Sequence, residues 1–211
     1  MLEVGSGPFT QSRHILNLFP FVPIESVTLV DPNLDNYRKL PNCFYRNGSL
    51  AVYPVTTGTN DILFPGRIHG EYWYTVETIL IASTTEDLHY NEAFDTVVSI
   101  NVLEHVHDAV AYLTNLYRAV KSGGLLIFHD RWFDQANDAE AVLGSFSLHP
   151  VRVSKLLLLQ FLSKFYPNAN THDDLKGNTQ PEGLLFSSTP TQEMIDRGFG
   201  ELGLYVIAIK Q

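Results

Sequence analysis

A single cysteine, Cys43, has no partner for an internal disulfide, which points to a reducing, cytoplasmic setting. Cations are also scarce. Lys and Arg number 14 against 23 Asp and Glu, a formal charge of -9 that opposes capture of a phosphate backbone and argues against a nucleic-acid partner. No cationic stretch leads into an apolar one at the start, and the most apolar run, KLLLLQFL from Lys155 to Leu162, is far too short for a bilayer span. Neither a secretion signal nor a membrane partner is therefore expected. What is present is apolar bulk: 211 residues with 45% hydrophobic content can enclose one sizeable core, so a single domain over residues 1–211 is expected.

Apolar runs alternate with helix-like stretches. MLEV precedes a helix expected from about Thr10 to Phe19, and SVTLVD precedes LDNYRKL. After ETILIAS and FDTVVSI comes a helix expected from about Asp108 to Val120, then KSGG as a helix stop and GLLIFHD as a strand. Later, HPVRVSKLLLLQFLSKF suits a helix packed on a sheet, and GLYVIAIK a terminal strand. This order predicts βαβ units and a doubly wound, Rossmann-like, mostly parallel sheet covered on both faces. The stretch from about Arg46 to Val76, rich in Gly, Pro, Thr and aromatics, breaks the rhythm. It is expected to be an inserted hairpin or lid, with Tyr53, Phe64, Tyr72, Trp73 and Tyr74 lining the acceptor side of a pocket, or simply to pack the sheet edge.

In open α/β sheets ligands sit beyond the carboxyl ends of the strands. Gly5 and Gly7 mark such a strand-to-helix turn, where the missing Cβ lets the backbone approach a ligand. Asp31 ends the next strand and suits two ribose hydroxyls, or caps a helix beginning near Pro32. The dinucleotide fingerprint wants a third glycine three residues after Gly7, where Thr10 stands, so a nicotinamide oxidoreductase is disfavoured.

The run Leu2-Glu3-Val4-Gly5-Ser6-Gly7 resembles motif I of class I S-adenosylmethionine-dependent methyltransferases. The stretch TTEDLHYNEAFDTVVSINVLEHVHDAVAYLTNLYRAVKSGGLLIFHD is similar to the run shared by ubiquinone- and menaquinone-type methyltransferases and their small-molecule relatives. The resemblance covers Met1 to about Arg131, plus the last strand. It implies a seven-stranded class I methyltransferase fold, S-adenosylmethionine as cofactor and a small or medium-sized acceptor. Glu3, Gly5, Ser6 and Gly7 would surround the methionine part, Asp31 would hold the ribose, and Thr84 and Thr85 would lie beside adenine. Thr84 stands where the family often has an acid, and Phe9 replaces a glycine. Asn101 would face the sulfonium or the acceptor, or cap the following helix.

Methyl transfer needs mostly proximity, plus a base if the acceptor is a hydroxyl. His129 and His105 are the candidate bases, with an imidazole bonded to Asp130 as the alternative for His129. Glu104, His105, His107 and Asp108 are metal-capable, but His105 and His107 would not share a helical face, so no metal is expected. Relatives carry helices ahead of the first strand. Their lack in this sequence raises the expectation of a fragment, or of cover supplied by the 46–76 insert. A cofactor-binding module without turnover is the alternative function.

Overall fold

Seven strands hydrogen-bond in the order β3-β4-β2-β1-β5-β6-β7. The computed structural model describes residues 1–18, 24–52, 74–131, 151, 153–165 and 203–211. Two units, Met1–Ala82 and Ser83–Gln211, are taken in turn.

In the first unit, β1 (Leu2–Val4) pairs in parallel with β2 (Ser26–Val30), which pairs in parallel with β4 (Tyr74–Ile81). Leu2, Glu3 and Val4 are all buried, as are Val27 through Val30, the pattern of central parallel strands. Helix α1 (Gln11–Leu18) follows the glycine turn. Helix α2 is a single turn, Leu34–Tyr37, shorter than its sequence suggests, since Pro41 four residues on opposes continuation. β3 (Ser49–Val52) runs antiparallel to β4, with Val52 opposite Tyr74. The ends of the expected insert thus form an antiparallel pair, while its middle, with Tyr53, Phe64, Tyr72 and Trp73, lies outside the described residues. Leu16, Val27, Leu29, Leu34, Tyr45, Leu50, Val52 and Val76 form the core. Each such side chain contributes about 1.5–3 kcal/mol when fully buried.

In the second unit, β5 (Phe94–Ile100) pairs in parallel with β6 (Val120–Arg131), and β6 pairs antiparallel with β7 (Gly203–Ile209). Helix α3 (Ala109–Ala119) begins at Asp108, whose carboxylate accepts from the Val110 and Ala111 amides. Helix α4 (Lys155–Leu162) begins at Ser154, whose hydroxyl accepts from Leu157. Phe128, Phe161, Phe165 and Tyr117 stack in an aromatic column with centroid spacings of 5.7, 5.4 and 5.3 Å, a geometry that favours edge contacts.

The KSGG stretch is not a helix stop. Helix α3 ends at Ala119 and β6 starts at once, and the register jumps from Phe94–Val120 to Thr96–Leu125, so Lys121–Gly124 bulges out of the strand. Gly123 supplies the positive φ of 75°. The bulge is tied to the chain end, where the Gly123 amide donates to the Lys210 carbonyl and the Lys210 amide to the Gly124 carbonyl.

The buried Lys210 ammonium donates to the Tyr117 and Val120 carbonyls, at 3.2 and 2.8 Å, and lies 3.3 Å from a Glu92 oxygen. It satisfies carbonyls that the end of α3 leaves open. Lys210→Met is expected to cost about 2–4 kcal/mol in urea unfolding. A loss under about 0.5 kcal/mol would mean that water replaces the ammonium without penalty.

Candidate functional site

The glycine turn of the first unit is held from both sides. The Gly5 and Ser6 amides donate to the Val30 carbonyl at 2.8 and 3.4 Å, and the Gly7 amide to Asp31 Oδ2 at 3.2 Å. Gly5 and Gly7 have φ of 65° and 53°, the left-handed region that a Cβ disfavours. Glu3, only 1% exposed, points to the start of α1. Its carboxylate accepts from the Thr10 hydroxyl and from the Gln11 and Ser12 amides, each amide at 2.8 Å. Helix N-termini leave such amides open and commonly use them for anions. In this chain a side-chain carboxylate has taken that place.

Burial pushes the Glu3 pKa above the ordinary carboxylate value, against the opposite pull of the hydrogen bonds from Ser12, Thr10 and Gln11. With its oxygens engaged by the helix start, Glu3 shapes the turn. Asp31 has two tasks. Its Oδ1 accepts from the Asn33 amide at 2.8 Å, spanning Pro32 in an Asx turn, while Oδ2 holds Gly7. A carboxylate has about four acceptor positions, so capacity remains for hydroxyl donors. Asn33, not Asp31, occupies the N-cap position of α2. Phe9, 47% exposed, packs edge-on against Phe44 with ring centroids 5.4 Å apart, and the Arg13 guanidinium lies 3.8 Å from the centre of the Phe44 ring.

In the second unit, the segment after β4 is pinned by Asn115 of α3, whose amide donates to the Thr85 and Glu86 carbonyls at 3.1 and 2.8 Å. Thr85 is buried. The Thr84 hydroxyl donates to Asp87 at 2.8 Å, which places a carboxylate beside the position where an acid was missing. Glu86 accepts from the His107 amide at 2.7 Å.

Asn101 ends β5 in the left-handed region, with φ of 58°, and its amide donates to the His129 carbonyl. The turn that follows, a 3-10 turn over Leu103–His105, has its N-cap at Val102 without a side-chain bond. Asp130, 1% exposed, supplies the cap instead, accepting from the Val102 and Leu103 amides at 3.0 and 2.7 Å. The capping role weighed for Asn101 therefore belongs to Asp130. Alternation along β6 sends the His129 and Asp130 side chains to opposite faces. His105 is exposed, with Nε2 3.9 Å from a Glu104 oxygen. Beneath this turn the buried hydroxyls of Ser99 and Tyr112 are hydrogen-bonded. Burial, then the Asp130 charge, drives the Tyr112 pKa well up, so its hydroxyl stays protonated. Among the described residues, no group of three or more His, Cys, Asp or Glu is placed to hold a metal ion. Nor is any helix among them long and apolar enough to cross a membrane.

Two anchors escaped the sequence. Tyr45 donates its hydroxyl to the Gly7 carbonyl from 38 positions away, and Asp130 holds amides 27 and 28 positions away. No local spacing announces either.

The strand order, with a mostly parallel sheet and an antiparallel β6–β7 pair, is that of the class I methyltransferase fold. Solved structures share it. An arsenic(III) S-adenosylmethionine methyltransferase from Chlamydomonas reinhardtii superposes with a TM-score of 0.57 at 19% identity, over 99% of this chain and 62% of that one. The YcgJ protein of Bacillus subtilis gives 0.51 at 13% identity, over 99% and 88%. In sequence, residues 69–128 match the family described as a methyltransferase domain. A ubiquinone biosynthesis O-methyltransferase of Paramagnetospirillum magneticum is 34% identical over 105 residues, 50% of this chain and 41% of that protein. The matched stretch thus spans about two fifths of that relative. The chain thus has the class I methyltransferase fold, with a partial sequence match to a methyltransferase domain and distant similarity to one ubiquinone biosynthesis O-methyltransferase.

The raised pKa of Glu3 has a definite sign in stability. Its contribution is complete below the unfolded value, about 4.3, and is lost as pH rises through the folded value. Glu3→Gln does not titrate and offers the helix start one acceptor fewer. The stability gap between wild type and Glu3→Gln, from urea unfolding, is therefore expected to be wider at about pH 5 than at about pH 7.5. A gap independent of pH would contradict the burial of a titrating carboxylate.

Proposed function

We propose that this chain binds S-adenosylmethionine at the glycine turn after β1 and transfers its methyl group to a small-molecule acceptor. The observation that carries the reading is the commitment of the amides around that turn. Gly5, Ser6 and Gly7 donate to Val30 and Asp31, and Gln11 and Ser12 donate to Glu3. A dinucleotide pyrophosphate needs such amides at the helix start and would meet a carboxylate there. A sulfonium cofactor carries no phosphate and needs only the close approach that Gly5 and Gly7 allow.

When bound, the cofactor supplies an electrophilic methyl group on a cationic sulfur, released with S-adenosylhomocysteine as the leaving product. Asp31 takes the ribose hydroxyls with the acceptor capacity left beside its two amide bonds. Thr84 and Thr85 would flank adenine, and Asn101 would border the reacting methyl. The relative named as an O-methyltransferase favours an oxygen acceptor, whose proton must leave as the bond to carbon forms. His129 and His105 are the candidates for receiving it, since imidazole titrates in the neutral range.

A ligand that binds only the folded state raises the melting temperature by mass action. S-adenosylhomocysteine is expected to raise it measurably in a thermal scan. Asp31→Ala should weaken that binding by roughly 1.5–3 kcal/mol, about 10- to 100-fold in Kd. A folded wild type that shows no shift at millimolar ligand overturns the cofactor reading, and undiminished affinity in Asp31→Ala removes Asp31 from it.

A further inference from the structure

We propose that Tyr45 is a positioning residue for the cofactor turn, fixing the Gly7 peptide in its binding-competent orientation. The inference rests on the cofactor reading above. The Tyr45 hydroxyl donates to the Gly7 carbonyl at 2.6 Å. The Tyr45 residue is 0% exposed and belongs to the core cluster with Leu16, Leu29 and Leu50, so the ring cannot swing away without opening that core. One residue earlier, the Phe44 amide donates to the Pro8 carbonyl at 3.0 Å.

The segment 44–45 therefore holds two successive carbonyls of the turn, while Asp31 holds the Gly7 amide from the other side. A glycine at positive φ is the residue whose flanking peptides rotate most readily. Rotation of the Gly7–Pro8 peptide would break the Tyr45 bond to the Gly7 carbonyl, a loss that biases the turn toward one conformation. Preorganisation of this kind lowers the cost of binding without any contact to the ligand. Burial pushes the Tyr45 pKa far above its ordinary value, so the donor persists across the physiological range.

The test titrates S-adenosylhomocysteine by calorimetry into wild type, Tyr45→Phe and Val52→Ala, at a temperature where all three are folded. Tyr45→Phe keeps the ring and removes the donor. Its Kd is expected to rise about 3- to 10-fold. Val52→Ala cuts the same core away from the turn and is expected to keep wild-type affinity. Wild-type affinity in Tyr45→Phe overturns the proposal, and so does an equal loss in both variants, which would assign the effect to stability alone. Should Tyr45→Phe not fold, a ring-fluorinated tyrosine at position 45, a stronger donor of nearly the same shape, is expected to tighten binding, and an unchanged Kd there overturns the proposal. A folded wild type that binds no ligand defeats the cofactor reading and this inference with it, a result distinct from wild-type binding that Tyr45→Phe leaves unchanged.

Discussion

The Glu3 carboxylate seated on the first amides of α1 is the contact on which the glycine turn depends. A helix start carries a partial positive charge and open donors, and β1 ends only a few residues before it. Satisfying Gln11 and Ser12 from inside the chain lets the helix begin directly after a tight turn. It also withdraws the feature that phosphate-binding relatives of this architecture exploit. The cost is a carboxylate with a raised pKa in a buried position, tolerated because three donors surround it.

The same device recurs. Asp31 at the end of β2 holds the Gly7 and Asn33 amides, and Asp130 near the end of β6 holds Val102 and Leu103. In each case a nearly buried acid on or just after a strand fixes the backbone of a neighbouring loop. Loops at the carboxyl ends of strands must be irregular to carry function, yet their polar groups still need partners. Short carboxylates supply acceptors that a parallel sheet cannot. Asn115 and Lys210 serve the complementary need, supplying donors to the carbonyls of the segment after β4 and of the end of α3.

Legibility followed the distance between partners. The apolar runs of β1, β2, β5 and β6, the turn at Gly5 and Gly7 and the helix start near Asp108 could be read because each signal lies within a few residues of its effect. Gly123 and Gly124 were misread because one dipeptide serves equally as a helix stop and as a bulge, and only pairing with β5 and the chain end decides between them. Asn101 looked like a cap because its residue type suits one. The cap comes instead from Asp130, which the sheet brings alongside. Tyr45 could not be found at all, since its partner is a backbone carbonyl far away in sequence.

On the proposed function, the turn at Gly5–Gly7 receives a sulfonium nucleoside and not a dinucleotide. Amide resonances of nitrogen-labelled protein, followed during separate titrations with S-adenosylhomocysteine and NAD, test it at the residues concerned. The account predicts that S-adenosylhomocysteine shifts the amides of Gly5, Ser6, Gly7 and Asp31 in a saturable way and that NAD leaves them in place. Saturable shifts at those amides with NAD, and none with S-adenosylhomocysteine, would contradict it.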